Sequence, residues 1–278
     1  MLQHTFGNTE RAVAAIGQGS WQIEDGDTAV AALQAGIDLG MTHIDTAEMY
    51  GSGASERVIG VALRERRDDV FLVSKVLPSN ASRAGTIEAC ERSLKNLVTD
   101  RLDCYLLHWP SRIPLAETVA GFEQLKRDGK IASWGVSNFD VELLDEVTAL
   151  GGPPACNQVL YHLGQRGCEH AVLPWCEARG VALVAYTPLG QSRAMHDPHH
   201  AQGRVLNEVA KRHDATPRQV ALAWLLRSES VFVIPKAAQL AHVIDNAGAA
   251  KLWLSAADFA ALEAAFPRGP MPRQLPTA

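Results

Sequence analysis

Four side chains able to hold or move a proton fall at comparable places in the chain: Asp45 and Tyr50 in HIDTAEMYG, Lys75 closing VFLVSK, and His108 in LDCYLLHWP. Each stands at or just past the end of a short apolar run. A tyrosine with its usual pKa near ~10 is a poor proton source at neutral pH, and a neighbouring ammonium lowers that value. Lys75 can be that ammonium, so a lowered Tyr50 pKa is expected. Asp45 opposite it would keep the lysine charged and in place. A neutral His108 could then hydrogen-bond an oxygen of the bound molecule and orient it. A carbonyl oxygen is the natural guest of such a set. Glu48, between Asp45 and Tyr50, is expected to be a solvated loop residue. Taken singly, each group also has a plainer reading, as an ion pair plugging a core or a satisfied buried histidine. Convergence decides between the readings, so the elements that place these residues matter.

TAVAALQAGIDLG, residues 28–40, spaces its apolar side chains as a helix does and ends at Gly40, a common stop signal. Eight short apolar runs read as strands, at 15–20, 42–46, 70–75, 102–109, 133–138, 155–160, 181–189 and 231–236. Helical patterns lie at 28–40, 56–64, 86–98, 115–128, 140–149, 171–179, 204–226 and 240–250. Alternating strands and helices imply a parallel sheet. Eight units in 278 residues suit an α/β architecture of the (β/α)8 TIM-barrel type, which occupies about 250 residues as a single domain. A doubly wound sheet is disfavoured, because IGQGSW is glycine-rich without being a G-x-G-x-x-G turn. The expectation is one domain over 1–278, with a short N-terminal hairpin, an extra C-terminal helix and an irregular tail over 266–278. In that barrel, functional groups sit at the C-terminal strand ends, where all four residues fall.

Composition narrows the partners. A hydrophobic share of 47% with 21% charged residues is ordinary for a globular chain and excludes a disordered or fibrous one. A net charge of −5 argues against a nucleic-acid binder and leaves small molecules as partners. Cys90, Cys104, Cys156, Cys168 and Cys176 form no CxxC pair and no metal-ligand spacing, so they read as reduced structural thiols, and no metal is expected. RERRDD, 64–69, reads as the solvated end of a helix, and KRH, 211–213, as cations at a helix C-terminus. No basic-then-apolar leader opens the chain, and no apolar run nears the ~18 residues that span a bilayer. A cytoplasmic protein without a membrane partner is expected, with a monomer as the default.

The proton-handling set contains nothing that can deliver an electron pair to carbon, so a hydride cofactor is required. Here the sequence resembles the aldo-keto reductase family, and within it the bacterial methylglyoxal-reductase-like branch, over about residues 5–265. The resemblance rests on IDTAEMYG with Ser55 and Glu56, LVSKV, LDCYLLHWP, GKIASWGVSNF, NQVLYH, AYTPLG, and VIPKAA followed by Asp245 and Asn246. It implies NADPH-dependent reduction of aldehydes and small 2-oxoaldehydes, with Tyr50 as general acid and Asp45, Lys75 and His108 completing a catalytic tetrad. It also implies that Ser137, Asn138 and Gln158 hold the nicotinamide carboxamide and that Tyr186 stacks on the ring. Further cofactor contacts are implied at Gly19, Ser20, Asp45, Thr187, Pro188, Leu189, Ile234, Pro235, Lys236, Ala237, Ala238, His242, Asp245 and Asn246. Trp21, Met49 and Trp109 would wall the substrate side. MHDPHH, with His196, His199 and His200, would form a loop near the cofactor entrance, since Pro198 breaks helical register and no carboxylate stands at zinc-motif spacing.

The family's usual segment follows I-P-K with a hydroxyl residue and then places an arginine for the 2′-phosphate of NADP. Ala237 and His242 stand at those positions, so NADPH is expected over NADH by a narrower margin. Two other functions remain open at this stage. One is a redox-sensing nucleotide-binding subunit of the same fold, which wants a partner-binding extension. The other is a Schiff-base lyase using Lys75, which wants a lowered lysine pKa that Asp45 opposes.

Overall fold

The computed structural model describes residues 1–23, 26–191 and 197–277. The chain begins with an antiparallel hairpin, β1 (Gln3–Thr5) and β2 (Ala12–Ala14). Eight parallel strands follow in chain order around the sheet: β3 (Gln18–Gly19), β4 (His43–Asp45), β5 (Phe71–Val76), β6 (Leu102–Leu107), β7 (Ile131–Ser137), β8 (Cys156–Leu160), β9 (Ala182–Tyr186) and β10 (Val231–Val233). Parallel bridges from Ile16 to Val233 and from Gly19 to Lys236 close the ring. Closure explains the glycines of IGQGS. A Cβ on Gly19 would stand 2.6 Å from the Ile234 carbonyl oxygen, and one on Gly17 would stand 2.6 Å from that of His43. These glycines let backbones approach; they do not shape a phosphate-binding turn.

Helices α1 (Gly26–Asp38), α2 (Ala54–Ala62), α3 (Arg83–Leu97), α4 (Leu115–Arg127), α5 (Val141–Gly151) and α6 (Val172–Arg179) return the chain between successive strands. The single helix expected over 204–226 is instead two, α7 (Ala201–Arg212) and α8 (Pro217–Leu225). The break has a local cause. Asp214 takes a left-handed φ of 49°, Thr216 caps α8 in a reciprocal box with Gln219, and Pro217 has no N–H to continue a helix but suits a first turn. Helix α9 (Leu240–Gly248) follows β10, and α10 (Ala256–Ala265) is the expected extra helix. Arg212 and His213, at the end of α7, both bond Asp258 of α10 and so tie it down. RERRDD is not simply a solvated helix end: α2 stops at Ala62, and Arg67 donates to Asp103 Oδ2 at 2.8 Å. Beyond α10 the chain is irregular, anchored where Arg166 Nη1 donates to the Phe266 carbonyl at 2.8 Å. Among the described residues no helix is long and apolar enough to cross a membrane.

Strand pleating sorts the core into two. Residues such as Leu72, Val76, Leu107 and Val136 face outward into one apolar layer with the helices. Their neighbours Phe71, Val73, Cys104, Leu106, Cys156, Val184 and Phe232 face inward and fill the barrel, and Phe6 of the hairpin loop closes its floor. His43 lies among Phe6, Phe71 and Phe232, with ring centroids 5.6 to 6.2 Å away. Neither of its ring nitrogens has a hydrogen-bond partner among the described residues.

Burial, reinforced by Lys75, holds the His43 pKa down at about 3, against 6.5 for the free side chain. The unfolded chain therefore takes up a proton below 6.5 that the native state refuses down to about 3, so stability is full above that window and falls as pH falls through it. The contribution of His43 is about 1.4 kcal/mol per pH unit below the free-histidine value. Urea midpoints at pH 7 and pH 5 should converge when His43→Leu is compared with the wild type. An unchanged pH dependence in the variant would remove His43 from this role.

Candidate active site

The pleat that builds the barrel interior also selects the site. Counting inward by two from Phe71 and Val73 reaches Lys75; from Cys104 and Leu106 it reaches His108; from His43 it reaches Asp45; from Cys156 it reaches Gln158; from Ala182 and Val184 it reaches Tyr186. The lower layers are apolar and the top one is polar. Tyr50 joins from the loop after β4 through a 3-10 turn whose Gly51 and Ser52 both have positive φ.

Lys75 is fully buried and all three of its N–H groups are used. Its Nζ donates to Asp45 Oδ1 at 2.6 Å, to the Thr46 carbonyl at 2.7 Å and to Tyr50 Oη at 3.3 Å. The second Asp45 oxygen accepts from Gln158 Nε2 at 2.7 Å. Burial alone would pull the Lys75 pKa down, but Asp45 and Tyr50 outweigh it and the net shift is upward. The expected lowering of the Tyr50 pKa is not found. Burial pushes it up, Lys75 pulls it down, Asp45 pushes it up again, and the net result lies above the ordinary value. Tyr50 therefore keeps its proton and can only be a donor until something binds. Burial and the nearby Lys75 bring His108 down to about 2, so its imidazole is neutral. Its ring lies edge-on to Tyr50, with centroids 5.8 Å apart, and stacks on Trp109 at 3.9 Å.

Glu48 corrects the sequence reading. It is not solvated: its carboxylate accepts from the Leu77 backbone N–H at 2.7 Å and from Asn80 Nδ2 at 2.9 Å, and pairs with Arg92 at 3.2 Å. It bolts the Tyr50 loop to the segment just after Lys75. The glutamate is recognisable as an anchor only once the two loops are known to be adjacent.

A cavity of about 390 Å³ opens at this face. Its wall includes Asp45, Tyr50 and His108, with Lys75 behind them, and the expected Gly19, Ser20, Ser137, Asn138, Gln158, Tyr186, Thr187, Pro188, Leu189, Ile234, Pro235 and Lys236. Trp21, Met49 and Trp109 line it as well, Trp21 and Met49 being 49% and 38% exposed at the rim. The polar wall is ordered: Tyr186 Oη donates to Asn138 Oδ1 at 2.9 Å, and Ser137 Oγ to the Gln158 carbonyl at 2.8 Å. Ala237, Ala238, His242, Asp245 and Asn246 do not line the cavity but lie beyond Lys236, on and before α9. Ala237 is buried, His242 is exposed, and Asp245 accepts from Thr216 Oγ1 at 2.7 Å. Asn246 is buried with both amide atoms lacking a partner among the described residues. His196 lies outside the described residues; His199 and His200 are exposed just before α7.

Sequence reasoning missed Gln22, Gly190, Gln191 and Arg218 on the cavity wall. Gln22 and Gln191 carry no chemical signal in sequence. Arg218 was hidden inside the helix expected over 204–226, which in the structure breaks before Pro217 and places Arg218 in the first turn of α8. A dinucleotide with a nicotinamide end suits this wall: a tyrosine face and hydroxyl and amide groups at one end, cations at Lys236 and Arg218, and beyond them an unpartnered buried amide at Asn246.

The sequence profile of the Aldo/keto reductase family matches residues 15–266. Methylglyoxal reductase YeaE of Escherichia coli (strain K12) is 48% identical, the alignment covering 92% of each chain. Glyoxal reductase of Bacillus subtilis (strain 168) is 33% identical, over 90% of this chain and 87% of its own. An aldo/keto reductase from Klebsiella pneumoniae, solved in complex with NADP and acetate, superposes with a TM-score of 0.92 at 43% identity, over 99% of both chains.

The Lys75 and Asp45 charges depend on each other for burial. Lys75→Met, which strands a buried carboxylate, should cost about 3 to 5 kcal/mol, whereas removing both charges in Lys75→Met with Asp45→Asn should recover much of it. Urea denaturation of the two single variants and the double variant reads the coupling. Additive losses would show that the two side chains do not act as a pair.

Proposed function

This chain belongs to the aldo/keto reductase family, and on that premise we propose that it reduces small aldehydes and 2-oxoaldehydes such as methylglyoxal with NADPH, Tyr50 being the proton donor. The single observation that carries this reading is the convergence of a protonated Tyr50, a triply bonded Lys75 and a neutral His108 at the wall of one cavity. When bound, the reduced nicotinamide supplies the hydride. The chain's own residues do the rest. Tyr50 Oη donates a hydrogen bond, and then its proton, to the carbonyl oxygen as negative charge grows there. Lys75, 3.3 Å from that oxygen of the tyrosine, stabilises the phenolate left behind. Asp45 and Gln158 hold the lysine in place, and neutral His108 steers the carbonyl. Ser137, Asn138 and Tyr186 bind the nicotinamide end, Lys236 and the α9 residues His242, Asp245 and Asn246 the adenosine end. With an imidazole at His242 where a guanidinium is usual, the preference for NADPH over NADH is narrow.

A Schiff-base role for Lys75 fits poorly, because a nucleophilic amine must shed its proton and the Lys75 pKa is shifted upward instead. The reading extends to chain 1–278 acting as one domain, as a cytoplasmic monomer on a small-molecule carbonyl substrate.

Tyr50→Phe should retain cofactor binding and lose about 10² to 10⁴-fold in kcat, the usual worth of a general acid. Retention of more than about a tenth of the wild-type rate would rule out the donor role. Because the Tyr50 pKa is raised, reduction should be insensitive to the tyrosine up to strongly alkaline pH and decline only beyond it.

Among the described residues the cavity's rim is built from Trp21, Met49 and Trp109 without any tail residue, which gives a large ligand little wall. Assayed by NADPH oxidation, methylglyoxal and short aldehydes should therefore be turned over with higher kcat/KM than steroids or long sugars. Efficient steroid reduction with no methylglyoxal activity would overturn the substrate class.

A further inference from the structure

Tyr50 Oη is lightly held for an atom that must meet a carbonyl. Among the described residues Lys75 is its hydrogen-bond partner, and at 3.3 Å that bond is the longest of the three that Lys75 makes. The turn carrying the tyrosine does not fix it locally. Gly51 and Ser52 take left-handed φ values of 56° and 50°, and a serine so placed persists only where its surroundings hold it. The position of the phenol is therefore set by anchors on either side of the turn. After it, Ser55 in the first turn of α2 donates to Ser20 Oγ at 2.8 Å. Before it, the anchor is Glu48.

Glu48 takes over where the strand pairing stops. Backbone bonds join the β4 and β5 segments as far as Thr46 N–H to the Val73 carbonyl at 2.9 Å and Glu48 N–H to the Lys75 carbonyl at 3.3 Å. Strand β5 ends at Val76. The next donor, Leu77 N–H, meets Glu48 Oε1 at 2.7 Å in place of a backbone carbonyl, and the same oxygen accepts from Asn80 Nδ2 at 2.9 Å. The other oxygen, Oε2, pairs at 3.2 Å with Arg92, whose side chain is 54% exposed. One carboxylate thus extends the pairing of the two segments past the end of the strand, between Tyr50 on one chain segment and Lys75 on the other.

We infer that Glu48 is a positioning residue for the reduction: through Leu77 and Asn80 it sets where Tyr50 Oη stands relative to Lys75 and to the incoming carbonyl. The inference rests on the reading of Tyr50 as proton donor. Glu48 itself is not among the residues of the cavity wall, so its effect passes through the tyrosine and falls on proton transfer, leaving nucleotide binding aside.

The two carboxylate oxygens make the test selective. Glu48→Gln, with its amide oxygen in place of Oε1, keeps the Leu77 and Asn80 bonds and gives up the Arg92 pair; Glu48→Ala gives up all three; Arg92→Ala gives up only the exposed pair. Assayed with NADPH and methylglyoxal, Glu48→Ala should lose about ten- to a hundred-fold in kcat, the scale on which catalysis responds to a displacement of about 1 Å. Its dissociation constant for NADP+, measured calorimetrically, should stay at the wild-type value. Its solvent deuterium isotope effect on kcat should rise, because a misplaced phenol makes proton transfer the slower step; a loss of stability alone would not move that ratio. Glu48→Gln should recover most of the lost rate, and Arg92→Ala should match the wild type. Wild-type kcat or an unchanged isotope effect in Glu48→Ala would overturn the inference, as would a Glu48→Gln variant as impaired as Glu48→Ala. If Glu48→Ala does not fold, Asn80→Ala, which removes one of the two Oε1 bonds, should show both changes at smaller size, and wild-type values there would overturn the inference equally. A Tyr50→Phe variant that keeps its rate would instead remove the proton-donor reading itself.

Discussion

Alternation of side chains along the strands of a closed barrel is the constraint on which this protein depends. Successive residues point to opposite faces, so each strand contributes every second side chain to the lumen. In the lower layers those positions hold Phe71, Val73, Cys104, Leu106, Cys156 and Val184, which exclude water. At the top the same registers deliver Asp45, Lys75, His108, Gln158 and Tyr186. A one-residue slip in any of these strands would exchange a polar side chain of the cavity for one of the outward residues that pack the helices.

Dry walls beneath a polar layer make charge expensive, and the site answers by pairing the Lys75 and Asp45 charges fully. Lys75 uses every N–H on Asp45, Thr46 and Tyr50, and Asp45 uses its second oxygen on Gln158. The same burial sets the protonation states. It raises the tyrosine, lowers the histidine, and would lower the lysine if Asp45 and Tyr50 did not reverse it. The resting site thus holds one proton ready on Tyr50 and a neutral imidazole beside it. In the resting site the pull of Lys75 on the Tyr50 proton is outweighed by burial.

Support reaches outward from there. Glu48 ties the loop carrying Tyr50 to the loop after β5, the strand that carries Lys75. The hairpin seals the opposite end of the barrel with Phe6, and the chain beyond α10 is held where Arg166 donates to the Phe266 carbonyl.

The order of strands and helices and the convergence of Asp45, Tyr50, Lys75 and His108 were legible in the sequence because period and type are local. VFLVSK announces an inward Lys75 as soon as it is read as a strand, and the IDTAEMYG and LDCYLLHWP motifs do the same for Asp45, Tyr50 and His108. Other features depended on neighbours far apart in the chain. The bend at Asp214 and Pro217 turned one expected helix into two and brought Arg218 to the cavity. Glu48 looked like a surface residue until the loop at Leu77 and Asn80 was set beside it. The direction of the Tyr50 pKa shift reversed for the same reason: sequence names the charges that could act on a phenol, but the depth of its burial is a property of the whole barrel, and here desolvation outweighs the nearest cation.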